Sequence, residues 1–293
     1  SRDIHVIIDL VINHTSSKHE WFTTATDYLK TLEDGEEPDA TVCPYVDYYH
    51  FTKESEGSSF YKVSGTQWYY EAPFWSEMPD LNLGNEAVRK EIENVVSYWM
   101  DLGVSGFRLD AAKEYYSGQT SKNIEVLTWF NDYVKSIDED AYIVAEVWNE
   151  FGTYSQYYES GIDSVFNFAF ADSSGIITSD LYQSAGQKYG QSTVTVQEKL
   201  SAINPDYIDA PFFTNHDMAR AAGYFNGEFA AQQTKMAGAM NLLMSGNAFL
   251  YYGEELGMSG SGKDENKRAP MYWSADSSTE GMCDGPSAMD VVN

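Results

Sequence analysis

Short apolar runs alternate along this chain with segments in which apolar residues recur every three to four positions. Residues 4–12, IHVIIDLVI, form a β-branched apolar run of the kind expected of a parallel strand covered on both faces. The run ends in Asn13 and His14. From Thr15 to about Asn85 the character changes: the acidic stretch EDGEEPDATVCP is followed by many Tyr, Trp and Phe residues with little helical periodicity. A structureless loop of that length inside a compact domain is improbable, so residues 15–85 are read as an inserted subdomain with a fold of its own.

After the insertion, EAVRKEIENVVSYWMDLG sets Val88, Ile92, Val95, Val96 and Trp99 at helical spacing and reaches a natural stop at Gly103. Next come the strand VSGFRLD, a helix over roughly 122–137, and the strand AYIVAEVW ending near Glu146. SVFNF, residues 164–168, is a shorter strand candidate, followed by a mostly helical stretch to about Ala202. IDAPFFTNHD reads as the next strand, a helix spans about Met218 to Met244, and NAFLYYGEE is the last strand.

Alternation of this kind predicts an α/β fold with a parallel sheet or barrel. The polar residues that end the apolar runs sharpen the picture: Asp9 to His14, Asp110, Glu146, Asn167, Asn215 to Asp217, and Glu254 with Glu255. Active sites of (β/α)8 barrels gather at the carboxyl ends of the strands, so carboxylates recurring there point to catalysis. Six strands are legible where a barrel needs eight. The expected architecture is a partial (β/α)8 TIM barrel made of residues 1–14 and 86–293, without its first two strands and whatever followed the eighth. Such a gap is expected to leave unpaired strand edges and a fragment that is poorly stable or associates with itself. The opening SRDIHVIIDL reads as the inside of a strand rather than as a signal peptide.

Around GFRLDAAKE (106–114), Val104, Phe107 and Leu109 read as a buried strand, while Arg108 and Asp110 lie two apart and so share one face. The cation favours an ionised Asp110. An oriented carboxylate at a strand end serves either as a nucleophile or as half of a structural ion pair.

Charge and composition narrow the ligand. The formal net charge is −27, from 45 acidic against 18 basic residues, which disfavours nucleic acid, anionic lipid and polyanionic substrates. A magnesium-dependent barrel acting on phosphorylated substrates would need cationic groups that this chain lacks in number. A neutral ligand fits better. With 22 Tyr and 7 Trp the chain has rings that can stack on sugars, although most are expected in the core. No apolar run approaches the roughly 20 residues of a membrane span. Cys43 and Cys283 exclude a disulfide framework and a four-cysteine zinc site; free thiols are expected, with one bridge as the alternative.

DLVINH (9–14), GFRLDAAKE (106–114), EVWN (146–149) and FTNHD (213–217), in this order on successive strands, resemble the four signature regions of the α-amylase family, glycoside hydrolase family 13. MPDLN (78–82) resembles its fifth region, at the end of the inserted domain B, and YYGEELGM its eighth strand. The resemblance implies strands 3 to 8 of the barrel, with domain B (15–85) inserted after strand 3. It also implies Asp110 as nucleophile, Glu146 as general acid/base and Asp217 as a third carboxylate bracing the distorted sugar, the set that retaining glycosidases use. Arg108 takes the position of an arginine that orients the nucleophile, His14 and His216 positions that hydrogen-bond the sugar, and Lys113 one that binds sugar hydroxyls beyond the cleavage point. Asp9 is expected to support this network, Trp148 to pack, and Glu254 and Glu255 to be structural.

The resemblance further implies a structural calcium held by Asn13, Asp80 and the backbone carbonyl of Glu114, oxygen donors that suit this ion. Here the chain departs from the family, which usually has Lys-His where this chain has Lys113 and Glu114. The implied activity is endo-acting hydrolysis of α-1,4-glucosidic bonds in starch or maltooligosaccharides. Alternatives are an exo-acting or debranching α-glucosidase of the oligo-1,6-glucosidase or neopullulanase kind, a transglycosylase, or a noncatalytic glucan binder. Starch does not cross membranes, so an extracellular location is expected, or a cytoplasmic one for an oligosaccharide α-glucosidase.

Overall fold

The computed structural model describes residues 3–290 apart from Glu56, Tyr272, Ala275, Ser277, Cys283, Asp284, Pro286 and Ser287. The chain divides into two compact units, Ser1–Val147 with Ser160–Ile162, and Trp148–Glu159 with Asp163–Asn293. In the first unit the order is β1 (Ile8–Leu10), α1 (Glu20–Leu29), β2 (Phe51–Thr52), β3 (Phe60–Lys62), β4 (Tyr69–Glu71), α2 (Glu86–Asp101), β5 (Gly106–Leu109), α3 (Thr120–Ile137) and β6 (Tyr142–Ala145).

Strand β5 is the centre of a parallel sheet, with β1 on one side (Asp9 opposite Arg108) and β6 on the other (Leu109 opposite Ala145). Phe107 and Leu109 of β5 and Ile143, Val144 and Ala145 of β6 are fully buried. Helix α3 covers them with Val126, Leu127, Phe130 and Val134, and Phe130 meets Phe107 edge to face at 5.9 Å. This is the helix expected near 122–137. On α2 the buried stripe is Val88, Ile92 and Val96, whereas Val95 and Trp99 stand in solvent. Those two lie at the margin of a stripe that the spacing alone makes too wide. Asn85 caps the helix by accepting from Ala87 N–H at 2.8 Å, and Gly103 follows its end at φ +93.

The first apolar run behaves differently from its sequence. Only Ile8–Leu10 is strand, and Ile4 and Val6 are 74% and 54% exposed rather than covered on both faces. In this unit β1 is an edge strand, so the residues around it have a neighbour on one side only.

Regular elements run through the segment 15–85. It holds a three-stranded antiparallel sheet in the order β2-β4-β3 and, unexpectedly, helix α1. Half of the buried face of α1 is Ala25 and Thr26, beside Phe22 and Leu29, which makes its apolar period faint. Aromatic rings fill this core: Phe22 packs on Tyr49 at 5.1 Å and on Tyr70 at 4.9 Å. The segment leaves and returns at one neck, where His14 bridges Asp80, Thr15 N–H donates to Pro79 O at 3.1 Å, and Ser17 N–H donates to Glu77 O at 2.8 Å. Cys43 is a buried free thiol; Cys283 falls outside the described residues.

The second unit contains α4 (Phe151–Tyr154), β7 (Ser164–Val165), α5 (Ile176–Tyr182), α6 (Gly186–Ile203), α7 (Ala230–Leu242) and α8 (Asp264–Lys267). The expected strands IDAPFFTNHD and NAFLYYGEE run parallel but join through the single bridges Phe166–Ala210 and Phe212–Phe249. Pro211 has no N–H to give between them, although its carbonyl accepts from Phe249 N–H at 2.7 Å. Phe166, Phe168, Phe212, Phe249, Ala171 and Met218 form the cluster beneath. The helix expected from about Met218 starts only at Ala230, because residues 218–229 make a 3-10 turn at Ala221–Gly223 and then bend at Gly227, φ +89.

Gly106 opens β5 at φ +150, and a Cβ there would stand 1.9 Å from the Tyr142 carbonyl oxygen. Gly106→Ala is therefore expected to destabilise the protein by about 2–4 kcal/mol. Gly238→Ala, on an open face of α7, is expected to stabilise by about 0.5–1 kcal/mol. Urea denaturation of both variants checks the contrast, and equal midpoints would refute it.

Candidate active site

Strand periodicity points the Arg108 side chain away from Phe107 and Leu109, toward the same face as Asp110. Its guanidinium is the meeting point of three carboxylates. Nη1 lies 2.9 Å from Asp9 and 2.5 Å from Asp110, and Nη2 lies 2.8 Å from Glu146. Register explains the convergence: Asp9 sits opposite Arg108, and Glu146 follows the residue opposite Leu109. Burial alone would lower the Arg108 pKa, but the charges of Glu146, Asp9 and Asp110 outweigh it and hold the group above its ordinary value. Arg108 is thus a permanent cation.

The two inner carboxylates are held unequally. The Asp110 side chain is 25% exposed and the Glu146 side chain 9%. Glu146 Oε2 also accepts from Ala111 N–H at 3.2 Å, and Ala112 N–H donates to the Glu146 carbonyl at 2.9 Å. Ala111 makes these contacts from a left-handed backbone, φ 46 and ψ 39, a strained conformation for a residue with a Cβ. The chain turns immediately after Asp110. Beneath this turn Tyr115 is buried, its hydroxyl without a hydrogen-bond partner among the described residues.

His14 lies between this cluster and the insertion. Its ring packs against Phe74 at 5.5 Å. Burial lowers its pKa below 6.5 and the Asp110 charge opposes that shift, so the imidazole is neutral near pH 7. Next to it, Asn13 Nδ2 donates to Asp80 at 3.0 Å, while the buried Asn13 Oδ1 has no hydrogen-bond partner among the described residues. Asp80 is itself buried, and its carboxyl is pushed up to about 8 by burial and the charge of Glu71, against the Asn13 hydrogen bond. An orphaned amide oxygen beside a buried carboxyl fits a hard cation. Among the described residues, however, no three His, Cys, Asp or Glu side chains are grouped as a metal site. The Glu114 side chain turns instead to Lys113 and to Ser117.

In the second unit His216 and Asp217 form a pair, His216 Nε2 lying 3.2 Å from Asp217 Oδ2. Asn215 Oδ1 fixes the turn by accepting from Asp217 N–H at 2.9 Å and Met218 N–H at 3.1 Å. Two cations that sequence reasoning passed over grip this turn. Arg268 Nη2 donates to Asp217 Oδ1 at 2.6 Å and Lys267 Nζ donates to the Asp217 carbonyl at 3.0 Å. Their only signal in the sequence is a basic pair in an acidic chain. Trp148 packs as expected, stacked on Phe168 at 5.2 Å, yet it remains 43% exposed. It lines a cavity of about 360 Å³ together with Asn149, Glu150, Asp172 and Met218.

Asp110→Asn removes the charge that raises the His14 pKa, so His14 is expected to titrate at a still lower pH. Imidazole nitrogen shifts followed by NMR check this; an unchanged or higher midpoint would show that the two groups are not coupled.

Comparison with known proteins agrees with this arrangement. Residues 1–291 match the family model described as the α-amylase catalytic domain. Alpha-amylase 3 of Dictyoglomus thermophilum is 38% identical over 94% of this chain and 52% of its own length. An alpha-glucosidase of Apis mellifera is 29% identical over 88% of this chain and 48% of its own. The solved structure of Eubacterium rectale Amy13B superposes with a TM-score of 0.96 at 51% identity, covering 100% of this chain and 57% of that one. The chain thus spans about half the length of the relatives it matches. Motif order, fold and family match agree: the chain belongs to the α-amylase family of glycoside hydrolases, and its parallel strands and helices are part of that family's (β/α)8 barrel.

Proposed function

We propose that the complete protein hydrolyses α-1,4-glucosidic bonds of starch or maltooligosaccharides with retention of anomeric configuration. The observation that carries this reading is one largely enclosed arginine gripping Asp110 and Glu146 at the ends of adjacent parallel strands. Asp110, the more exposed carboxylate and the one closest to the guanidinium, is suited to attack the anomeric carbon. Glu146, nearly enclosed, is suited to deliver a proton to the leaving oxygen and to take one from water in the second step. Neutral His14 can donate to or accept from a sugar hydroxyl. Asp217 is assigned the bracing of the distorted sugar, and His216 a hydrogen bond to that sugar. Lys113 already pairs with Glu114, so its contact with a sugar means sharing or leaving that partner.

The Apis mellifera relative keeps a second reading open, an exo-acting α-glucosidase. Both activities use the same two carboxylates and differ in how far the cleft extends. For a polymeric substrate we propose an extracellular location, and for the α-glucosidase reading a cytoplasmic one.

We also assign Asn13 Oδ1, Asp80 and the Glu114 carbonyl to a structural calcium. The orphaned Asn13 oxygen supports this. When bound, the ion would tie the end of the strand segment to the insertion, a stabilising rather than a chemical contribution.

Proton NMR of fresh maltooligosaccharide products is expected to show the α-anomer first; a β-configured first product would rule out Asp110 as nucleophile. Asp110→Asn is expected to abolish the covalent intermediate, and Glu146→Gln to slow substrates with poor leaving groups most. Chelation is expected to lower the melting temperature of the complete protein, since an ion held only by the folded state stabilises it; an unchanged melt would remove the metal.

A further inference from the structure

Arg220 is a charged side chain sealed inside the second unit. It is among the largest fully buried side chains of the protein, and burying a guanidinium is costly unless its donors are used. Two of its nitrogens are used on one task. Nε donates to the Lys267 carbonyl at 3.0 Å and Nη1 to the Tyr252 carbonyl at 2.7 Å, with the rings of Tyr251 and Tyr252 at 4.5 and 4.7 Å from its central carbon. Those two tyrosines act on the same segment, Tyr251 hydroxyl donating to the Lys267 carbonyl at 2.9 Å and Tyr252 hydroxyl to the Ala269 carbonyl at 2.6 Å. Residues 267–269 are thereby clamped from behind.

From its front this segment sends Lys267 and Arg268 to the turn at His216 and Asp217. Arg268 is the important one, because it reaches two acceptors at once: Nη2 takes the Asp217 carboxylate and Nε the His216 carbonyl at 3.2 Å. One rigid fork spanning a side chain and the backbone beside it fixes the Asp217 rotamer, which a single-point donor cannot do. Tracing the contacts gives a closed ring, from Asp217 through Arg268 and Lys267 to Arg220, then along three residues of backbone to Asp217 again. Asp217 is one-third exposed and follows the end of its strand, so without this ring only the neighbouring His216 imidazole and the Asn215 turn, among the described residues, would restrain it.

We propose that Arg268, held by the buried Arg220 clamp, is a positioning residue for the Asp217 carboxylate. This rests on the reading of Asp217 given under the proposed function. A carboxylate displaced by about 1 Å loses about a hundredfold in turnover. Sugar recognition elsewhere in the cleft is untouched, so the loss falls on kcat.

The test uses the complete protein with a maltooligosaccharide substrate. Arg268→Ala is expected to lower kcat about a hundredfold with KM little changed and the melting temperature close to wild type, and added guanidinium ion at millimolar concentration is expected to restore part of the rate. Arg268→Lys is expected to recover little, since the ammonium cannot span both acceptors. Tyr252→Phe, which loosens the clamp without emptying the core, is expected to give a smaller kcat loss in the same direction. Wild-type kcat in Arg268→Ala overturns the proposal, as does a loss confined to KM or one accompanied by a large drop in melting temperature. A wild-type enzyme inactive on every α-glucoside instead overturns the function itself, and the proposal with it.

Discussion

One largely enclosed cation organises the first unit. Remove the charge of Arg108 and three carboxylates, Asp9, Asp110 and Glu146, face one another with nothing between them. Breaking a buried ion pair from one side costs far more than forming it gains, because the remaining charge is stranded in a medium that solvates it poorly. The sheet register, the left-handed turn at Ala111 and the burial of β6 all serve to bring these groups to one place. If the cluster acts as proposed, stability and chemistry are not separable at this point of the molecule, and a substitution that relaxes it also disarms it.

Charge pairing at the second site follows a different logic. Asp217 is met by cations that stand in partial contact with solvent, and their precision comes from what lies behind them. Arg108 reaches its partners along neighbouring strands of one sheet. Arg268 reaches Asp217 from 51 residues away in sequence, from the end of a different element, and that geometry depends on a buried guanidinium packed against the rings of two tyrosines.

This difference accounts for what was legible in the sequence. Arg108 and Asp110 are two apart on a strand, and period two is enough to predict that they share a face. Asp110, Glu146 and Asp217 each close an apolar run, so their alternation with helices pointed to a barrel rim. Sequence spacing carries no such information about Arg268, because no periodic element connects it to Asp217. The misses in the fold have the same origin. Helix α1 hides half of its buried face in Ala25 and Thr26, and the helix expected from Met218 is delayed by a 3-10 turn and the bend at Gly227. Ile4 and Val6 were read as covered because period cannot report whether a neighbouring strand is present.

The neck of the insertion has a wider consequence. Residues 15–79 begin and end at backbone groups already hydrogen-bonded to each other, so the segment hangs from the sheet by a closed loop. Closure entropy grows only as the logarithm of loop length, so lengthening or exchanging what lies beyond the neck costs little. The sheet and its charge cluster do not register the change, because the exit and return points stay where they are. Such a layout separates the pace at which two parts of one catalytic unit can evolve. The strand ends are constrained by one another, while the segment beyond the neck is free to change.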